Sequence, residues 1–317
     1  MSAFALKTIA VITMLIDHIG AFILLRVGEL ASSQIYFAMR SIGRIAFPIF
    51  AYLIANGCKH TKNIDKYLLR LGIFAIASEA IFDIAQMNSI NFLWRTNIFY
   101  TLFLGVLGIA IYERAKRKKW QWLMLLPLAC VPVVLIFDVP VLYDQGNIIA
   151  TGVLLIYAVA AFCIARFAPE RNDEEEEIGL KRKIIPILAV LPLLYLADFL
   201  STDYASWGVG FIILLYLANP EKKLTRAIAM TVALLYFYGS WDWVHTVSWS
   251  EIEGAYIMER VLNTLGATFL LFSLIPVLLI LFYNGKQGAN SQAIKWGFYA
   301  FYPVHIAVLV AIRYLLT

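Results

Sequence analysis

The chain consists of long apolar runs separated by short polar punctuation, with no sustained alternation of apolar and polar positions. Continuous runs of this kind predict helices, whereas the strands of a membrane barrel would alternate with a period of two. The runs fall at about 6–26, 36–57, 66–86, 97–113, 120–137, 148–167, 184–200, 205–218, 226–239, 260–283 and 293–316. A hydrocarbon core about 30 Å thick is crossed by about 20 helical residues, a length most of these runs reach. The seventh to ninth are short, so they are either re-entrant or include one broken helix. The pattern predicts an all-α, polytopic integral membrane protein with ten or eleven transmembrane helices, residues 1–317 forming a single transmembrane domain.

Composition agrees. Apolar residues are 62% of the chain and charged residues 15%, where soluble domains sit near a half and a quarter, so a soluble enzyme is excluded. Mean hydropathy is +0.77. Cys58, Cys130 and Cys163 have no paired or metal-binding spacing and read as packing thiols; no metal is expected. The first run carries Lys7, Asp17 and His18 and has no small-residue cleavage site, so it is not read as a removable signal peptide.

Basic residues orient the spans. Alternate loops on one side hold 19 of the 26 Lys and Arg, and the opposite set holds only Arg26, Arg95, Arg260 and Arg313. The positive-inside rule then predicts a cytoplasmic amino terminus, in a multi-pass protein of the cell (plasma or inner) membrane. The formal net charge of +5 is accounted for by these loops, so the expected partner is the lipid bilayer and not nucleic acid. The run "NDEEEEIGLKRK" reads as a solvated inner loop. The Trp-rich "GSWDWVHTVSWSEIEGAYIM" reads as an interfacial belt or an outer binding surface.

The remaining ionisable residues lie inside spans. At 1.5 Å per residue from the inner end, His18 sits about 16 Å deep, Arg44 and Glu79 about 20 Å and His305 about 18 Å. Charges at mid-bilayer are costly unless they face partners or water, so these four helices are expected to converge on one interior site. Asp83 follows Glu79 by one turn, Arg40 precedes Arg44 by one turn, and Asp198 is a weaker candidate at similar depth. Arg44 with Glu79 or Asp83 also fits a packing ion pair, and His305 fits a hydrogen-bonded core residue. Lys7 and His18, eleven residues apart, return to within about 20° of one helix face about 16 Å apart. That suits a long substrate with phosphates at the inner mouth and a reactive end at mid-membrane, although Lys7 could simply snorkel. Pro303 is expected to free the carbonyl of Tyr299 and kink the last helix beside His305. Asn97 opens the fourth helix, as an acceptor contact or as a cap.

The segments "MLIDHIGA", "RSIGRIAFPIFAYLIANG", "TKNIDKYLLRLGIFAIASEAIFDIA", "NIFYTLFLG" and "FYAFYPVHI" resemble the TraX family, membrane proteins associated with acetylation of the pilin amino terminus. That family is similar to a wider group of transmembrane acyltransferases whose first helix carries a Lys or Arg and, after ten intervening residues, a His, a pattern Lys7 and His18 fit. The resemblance implies an acyltransferase that takes acetyl-CoA as donor and a peptide, glycan or small molecule as acceptor. His18 would be the base or an acyl carrier, oriented by Asp17, Glu79 or Asp83. Arg44 would stabilise negative charge, with Lys7, Arg40, Asn97, Tyr299 and His305 lining the substrates. A proton-coupled transporter is the alternative, because the same buried layer describes a proton relay.

Overall fold

A computed structural model describes residues 1–25, 34–90, 95–117, 146–168, 180–218, 222–239 and 265–316. Among these, every regular element is a helix, and the one β-type contact is an isolated bridge between Thr96 and Thr202. The protein is an all-α polytopic membrane protein. Four stretches, 3–24, 35–60, 98–115 and 292–316, are long and apolar enough to cross a bilayer. The predicted span 120–137 and residues 240–258 of the Trp-rich segment lie outside the described residues, as do residues 172–179 of the acidic run.

The helices are α1 (Ala3–Ile19), α2 (Gln34–Gly43), α3 (Ala46–His60), α4 (Ile64–Met87), α5 (Ile98–Ala115), α6 (Gly146–Phe167), α7 (Leu180–Leu188), α8 (Leu191–Phe199), α9 (Ala205–Leu217), α10 (Lys223–Gly239), α11 (Leu265–Leu281) and α12 (Gln292–Leu316). They form two compact units: residues 1–57 with 80–90 and 214–317, and residues 58–79 with 91–213.

In the first unit, α1 starts at Ser2, whose Oγ accepts from Ala5 N at 3.3 Å. The N–H groups of Ala3 and Phe4, which have no partner within their helix, donate to the carbonyls of Lys286 (2.9 Å) and Gln287 (3.0 Å) in the α11–α12 loop. Gly288 in that loop has φ +74, and a Cβ there would meet Ser2 Oγ at 2.6 Å, so glycine is required on both counts. The inward stripe of α1 is Ala3, Leu6, Ala10, Thr13 and Asp17, a spacing of three and four that delivers Asp17 to the interior. Past His18 the helix widens into a π-helical turn, Gly20–Leu24, a feature that favours functional sites.

The run predicted as one span at 36–57 is two helices. Arg44 N and Ile45 N bond to the carbonyls of Ser41 and Ile42, three residues back, and α3 begins afresh at Ala46. Pro48 explains the break: it has no N–H to give the Arg44 carbonyl, and the first turn of a new helix is where that loss is tolerated. The predicted span 184–200 is likewise divided into α7 and α8, with Pro192 in the first turn of α8. There Leu193 N bonds to Val190 O instead of Ala189 O, and the buried Tyr157 hydroxyl donates to the released Ala189 carbonyl.

Candidate functional site

Asp17 anchors the first cluster. Arg40 Nη1 donates to Asp17 Oδ2 at 2.6 Å and Arg44 Nη2 to Oδ1 at 3.1 Å, while Arg44 Nε donates to the Arg40 carbonyl at 3.1 Å. Each carboxylate oxygen thus has its own guanidinium, and the three charges sum to +1. The i, i+4 spacing of the arginines puts both on one face, directed at α1. Two glycines allow the approach. A Cβ on Gly43 would lie 2.1 Å from Asp17 Oδ1, and one on Gly20 would lie 3.3 Å from Met39 Cβ.

The second cluster joins α1 to α12. His18 Nδ1 and His305 Nε2 are 2.6 Å apart, and His305 Nδ1 lies 2.7 Å from the Phe301 carbonyl one turn back. A carbonyl only accepts, so His305 Nδ1 carries a proton and donates it. Nε2 of neutral His305 is then a lone pair that accepts from His18 Nδ1–H, which leaves the lone pair of His18 on Nε2. The hydrogen-bond chain therefore assigns both tautomers. Tyr302 and Phe22 complete the surroundings, with ring centroids 6.0 and 5.0 Å from that of His18. His305 and Tyr302 belong to the inward stripe of α12, Tyr302, His305, Ile306, Leu309, Val310 and Arg313.

At the amino-terminal ends of α1 and α12, Lys7 Nζ lies over the Phe298 ring, 5.6 Å from its centroid, and Phe4 packs edge-on to the same ring at 5.9 Å. Lys295, one turn before Phe298, acts on Lys7 electrostatically. Tyr299 faces Trp296, with centroids 6.3 Å apart, and α12 continues through Pro303 to Leu316.

Several sequence expectations are redistributed. Arg44 pairs with Asp17, and the partner that orients His18 is His305, so the carboxylate expected in that place is Asp17 bound to two arginines instead. Glu79 goes with Asn97 in the second unit. Asn97 Oδ1 caps α5 by accepting from Phe99 N at 2.9 Å, and its amide donates to Glu79 Oε2 at 2.5 Å and to Ala75 O at 2.8 Å. With 0% exposure and both ends of its amide engaged, Asn97 is the cap of α5. Asp83 is buried on the part of α4 that belongs to the first unit. Arg313, read from sequence as an outer-loop residue, is 3% exposed and closes the carboxyl end of α4, donating to the carbonyls of Ala85 (2.8 Å) and Ile84 (2.9 Å) and to Asn88 Oδ1 (2.6 Å). Tyr302 and Phe22 also went unread; the signal for Tyr302 was its place one turn before His305.

Comparison with known proteins matches residues 2–172, more than half of the chain, to the family described as TraX protein. The chain belongs to the TraX family. The matched region holds Lys7, Asp17, His18, Arg40 and Arg44 and ends well before His305. A relative spans both halves: the probable fimbrial assembly protein FimC, serogroup H1, of Dichelobacter nodosus is 27% identical over 319 residues, covering 98% of this TraX-family chain and 96% of that protein. No solved structure matches.

Proposed function

We propose that this TraX-family chain is a membrane-embedded acyltransferase that moves an acetyl group from acetyl-CoA to a peptide amine or to a hydroxyl of a glycan or small molecule. The observation that carries the reading is the His18–His305–Phe301 chain. It aligns a neutral imidazole with its Nε2 lone pair available beside a cluster carrying one net positive charge. A thioester is already activated, so the protein must supply a base for the acceptor and a donor for the developing oxyanion. His18 Nε2 takes the acceptor proton as the acceptor's nitrogen or oxygen attacks the thioester carbonyl. The tetrahedral intermediate collapses with loss of the CoA thiolate, and the proton held by the imidazole pair goes to the departing sulfur.

Arg40 is the better placed of the two arginines to meet the oxyanion, its side chain being 26% exposed against 16% for Arg44. Lys7 and Lys295 suit the donor's phosphates, about 16 Å along α1 from His18, and the excess of basic residues in the inner loops supports entry from the cytoplasm. Support for a pilin- or fimbria-type acceptor comes from the relative, a probable fimbrial assembly protein. A directly bonded imidazole pair also suits a proton relay, so a proton-coupled transporter is the second reading.

Thermal unfolding of the purified protein with acetyl-CoA separates the two. Saturable stabilisation that is lost in Lys7→Ala, together with acetyl transfer lost in His18→Ala, is expected of the enzyme. No response to any acyl-CoA would overturn it in favour of the transporter.

A further inference from the structure

Arg226 occupies the first turn of α10, a helix of the first unit whose buried residues include Arg226, Met230, Ala233 and Leu234. Lys222, Lys223, Leu224 and Thr225 are exposed, and Arg226 is 4% exposed. The guanidinium is therefore buried within one turn of a surface that carries two more cations.

Its neighbours are donors. Arg226 Nη1 donates to the Tyr52 hydroxyl, and the guanidinium lies 5.1 Å from the centroid of the Tyr52 ring. The Tyr283 ring packs edge-on to Tyr52, centroids 5.8 Å apart, and Tyr283 hydrogen-bonds Asn56. Among the described residues no carboxylate pairs with Arg226, and its Nε–H has no hydrogen-bond acceptor. The Tyr52 oxygen accepts from Arg226, so its own O–H must donate elsewhere, and no acceptor for it is present among the described residues. A buried cation ordinarily has a counter-charge, because desolvation without one is strongly unfavourable. Among the described residues, what both buried donors lack is an acceptor with negative charge.

We infer that the corner formed by Arg226 and Tyr52 binds a phosphate group. A guanidinium fork and a hydroxyl match the several oxygens of a phosphate, and Lys222 and Lys223 at its rim favour a polyvalent anion over a single carboxylate. The phosphate can come from an anionic phospholipid headgroup or from a soluble phosphate ester such as coenzyme A. The inference does not rest on acyl transfer.

The test is thermal unfolding of delipidated protein in an uncharged detergent. It is titrated separately with inorganic phosphate, with phosphatidylglycerol against phosphatidylcholine, and with coenzyme A, at constant ionic strength held by chloride. The expected result is a saturable rise in Tm in the wild type that is absent in Arg226→Gln. In Tyr52→Phe, which keeps the charge and the ring, the half-saturating concentration should rise about tenfold. Preference for phosphatidylglycerol assigns a lipid site, and preference for coenzyme A assigns a donor site. No response in the wild type, or an undiminished response in Arg226→Gln, overturns the inference. Should Arg226→Gln not fold, an undiminished Tyr52→Phe response overturns it equally. Stabilisation by coenzyme A that needs Lys7 but not Arg226, with no Arg226-dependent response to phosphate or phosphatidylglycerol, would also overturn it, while leaving the acyltransfer reading intact.

Discussion

Replacing Gly43 by alanine sets two effects against each other. Within a helix, alanine is ordinarily better than glycine by about 0.5–1 kcal/mol, because glycine loses more backbone freedom on folding. At Gly43 the new methyl would lie 2.1 Å from Asp17 Oδ1 and 2.4 Å from both Asp17 Cβ and Cγ. Non-bonded carbons rest about 3.5–4.0 Å apart, so either α2 retreats from α1 by more than an ångström or Asp17 leaves its place between Arg40 and Arg44. Retreat is an overpacking cost of about 1–3 kcal/mol. Expulsion of the carboxylate adds part of the about 3–5 kcal/mol that attends breaking a buried ion pair.

The contact geometry therefore predicts that Gly43→Ala destabilises by at least about 1 kcal/mol, opposite in sign to the propensity effect. Gly297→Ala is the internal control: that position on α12 is exposed, with nothing within 4 Å of an added Cβ, so propensity alone should stabilise by up to about 1 kcal/mol. Unfolding of both variants in detergent, followed by tryptophan fluorescence, should show a lower transition for Gly43→Ala and an unchanged or higher one for Gly297→Ala. A Gly43→Ala protein as stable as its parent would refute the close approach of α2 to Asp17, and the charge cluster with it.

Other changes read the site from different sides. Asp17→Asn leaves two guanidiniums facing one neutral amide and should cost about 3–5 kcal/mol of stability, measured by the same unfolding. His305→Ala should lower kcat for acetyl transfer with little change in KM for acetyl-CoA; His305→Gln, which can accept from His18 Nδ1–H, should recover part of it. Equal loss in both would mean that His305 does more than orient His18. Arg313→Leu removes three hydrogen bonds from the end of α4 and should destabilise by about 2–4 kcal/mol; hydrogen exchange should then rise first at residues 84–88.

The fold class was legible because lipid exposure imposes continuous apolar runs, and these can be counted without knowing any contact. The breaks at residues 44–45 and 189–190 were less legible. Pro48 and Pro192 sit inside apolar runs, and hydropathy does not register a missing N–H. For the site, depth along each span singled out His18, Arg44, Glu79 and His305 together, but depth carries no angle about the helix axis. Two residues at one level can face different neighbours, as Arg44 and Glu79 do, one bonded to Asp17 and the other to Asn97. The pairing of His18 with His305 spans 287 residues, and no local spacing encodes a contact of that range. The glycines that admit Asp17 carry no local signal of that role, because it appears only once the opposing helix is in place.

The bond between the first and last helices has a consequence for biogenesis. A nascent chain that has inserted α1 already displays His18 in the membrane, but the imidazole that fixes its tautomer is synthesised 287 residues later, and the Lys286 and Gln287 carbonyls that close the start of α1 come just before it. Until α12 is inserted, the first helix has an open amino end and an unoriented histidine. Synthesis as far as α12 is thus what allows the pair to assemble. A chain arrested before α12 would hold in α1 a histidine without its imidazole partner and a helix start without the two carbonyls that close it.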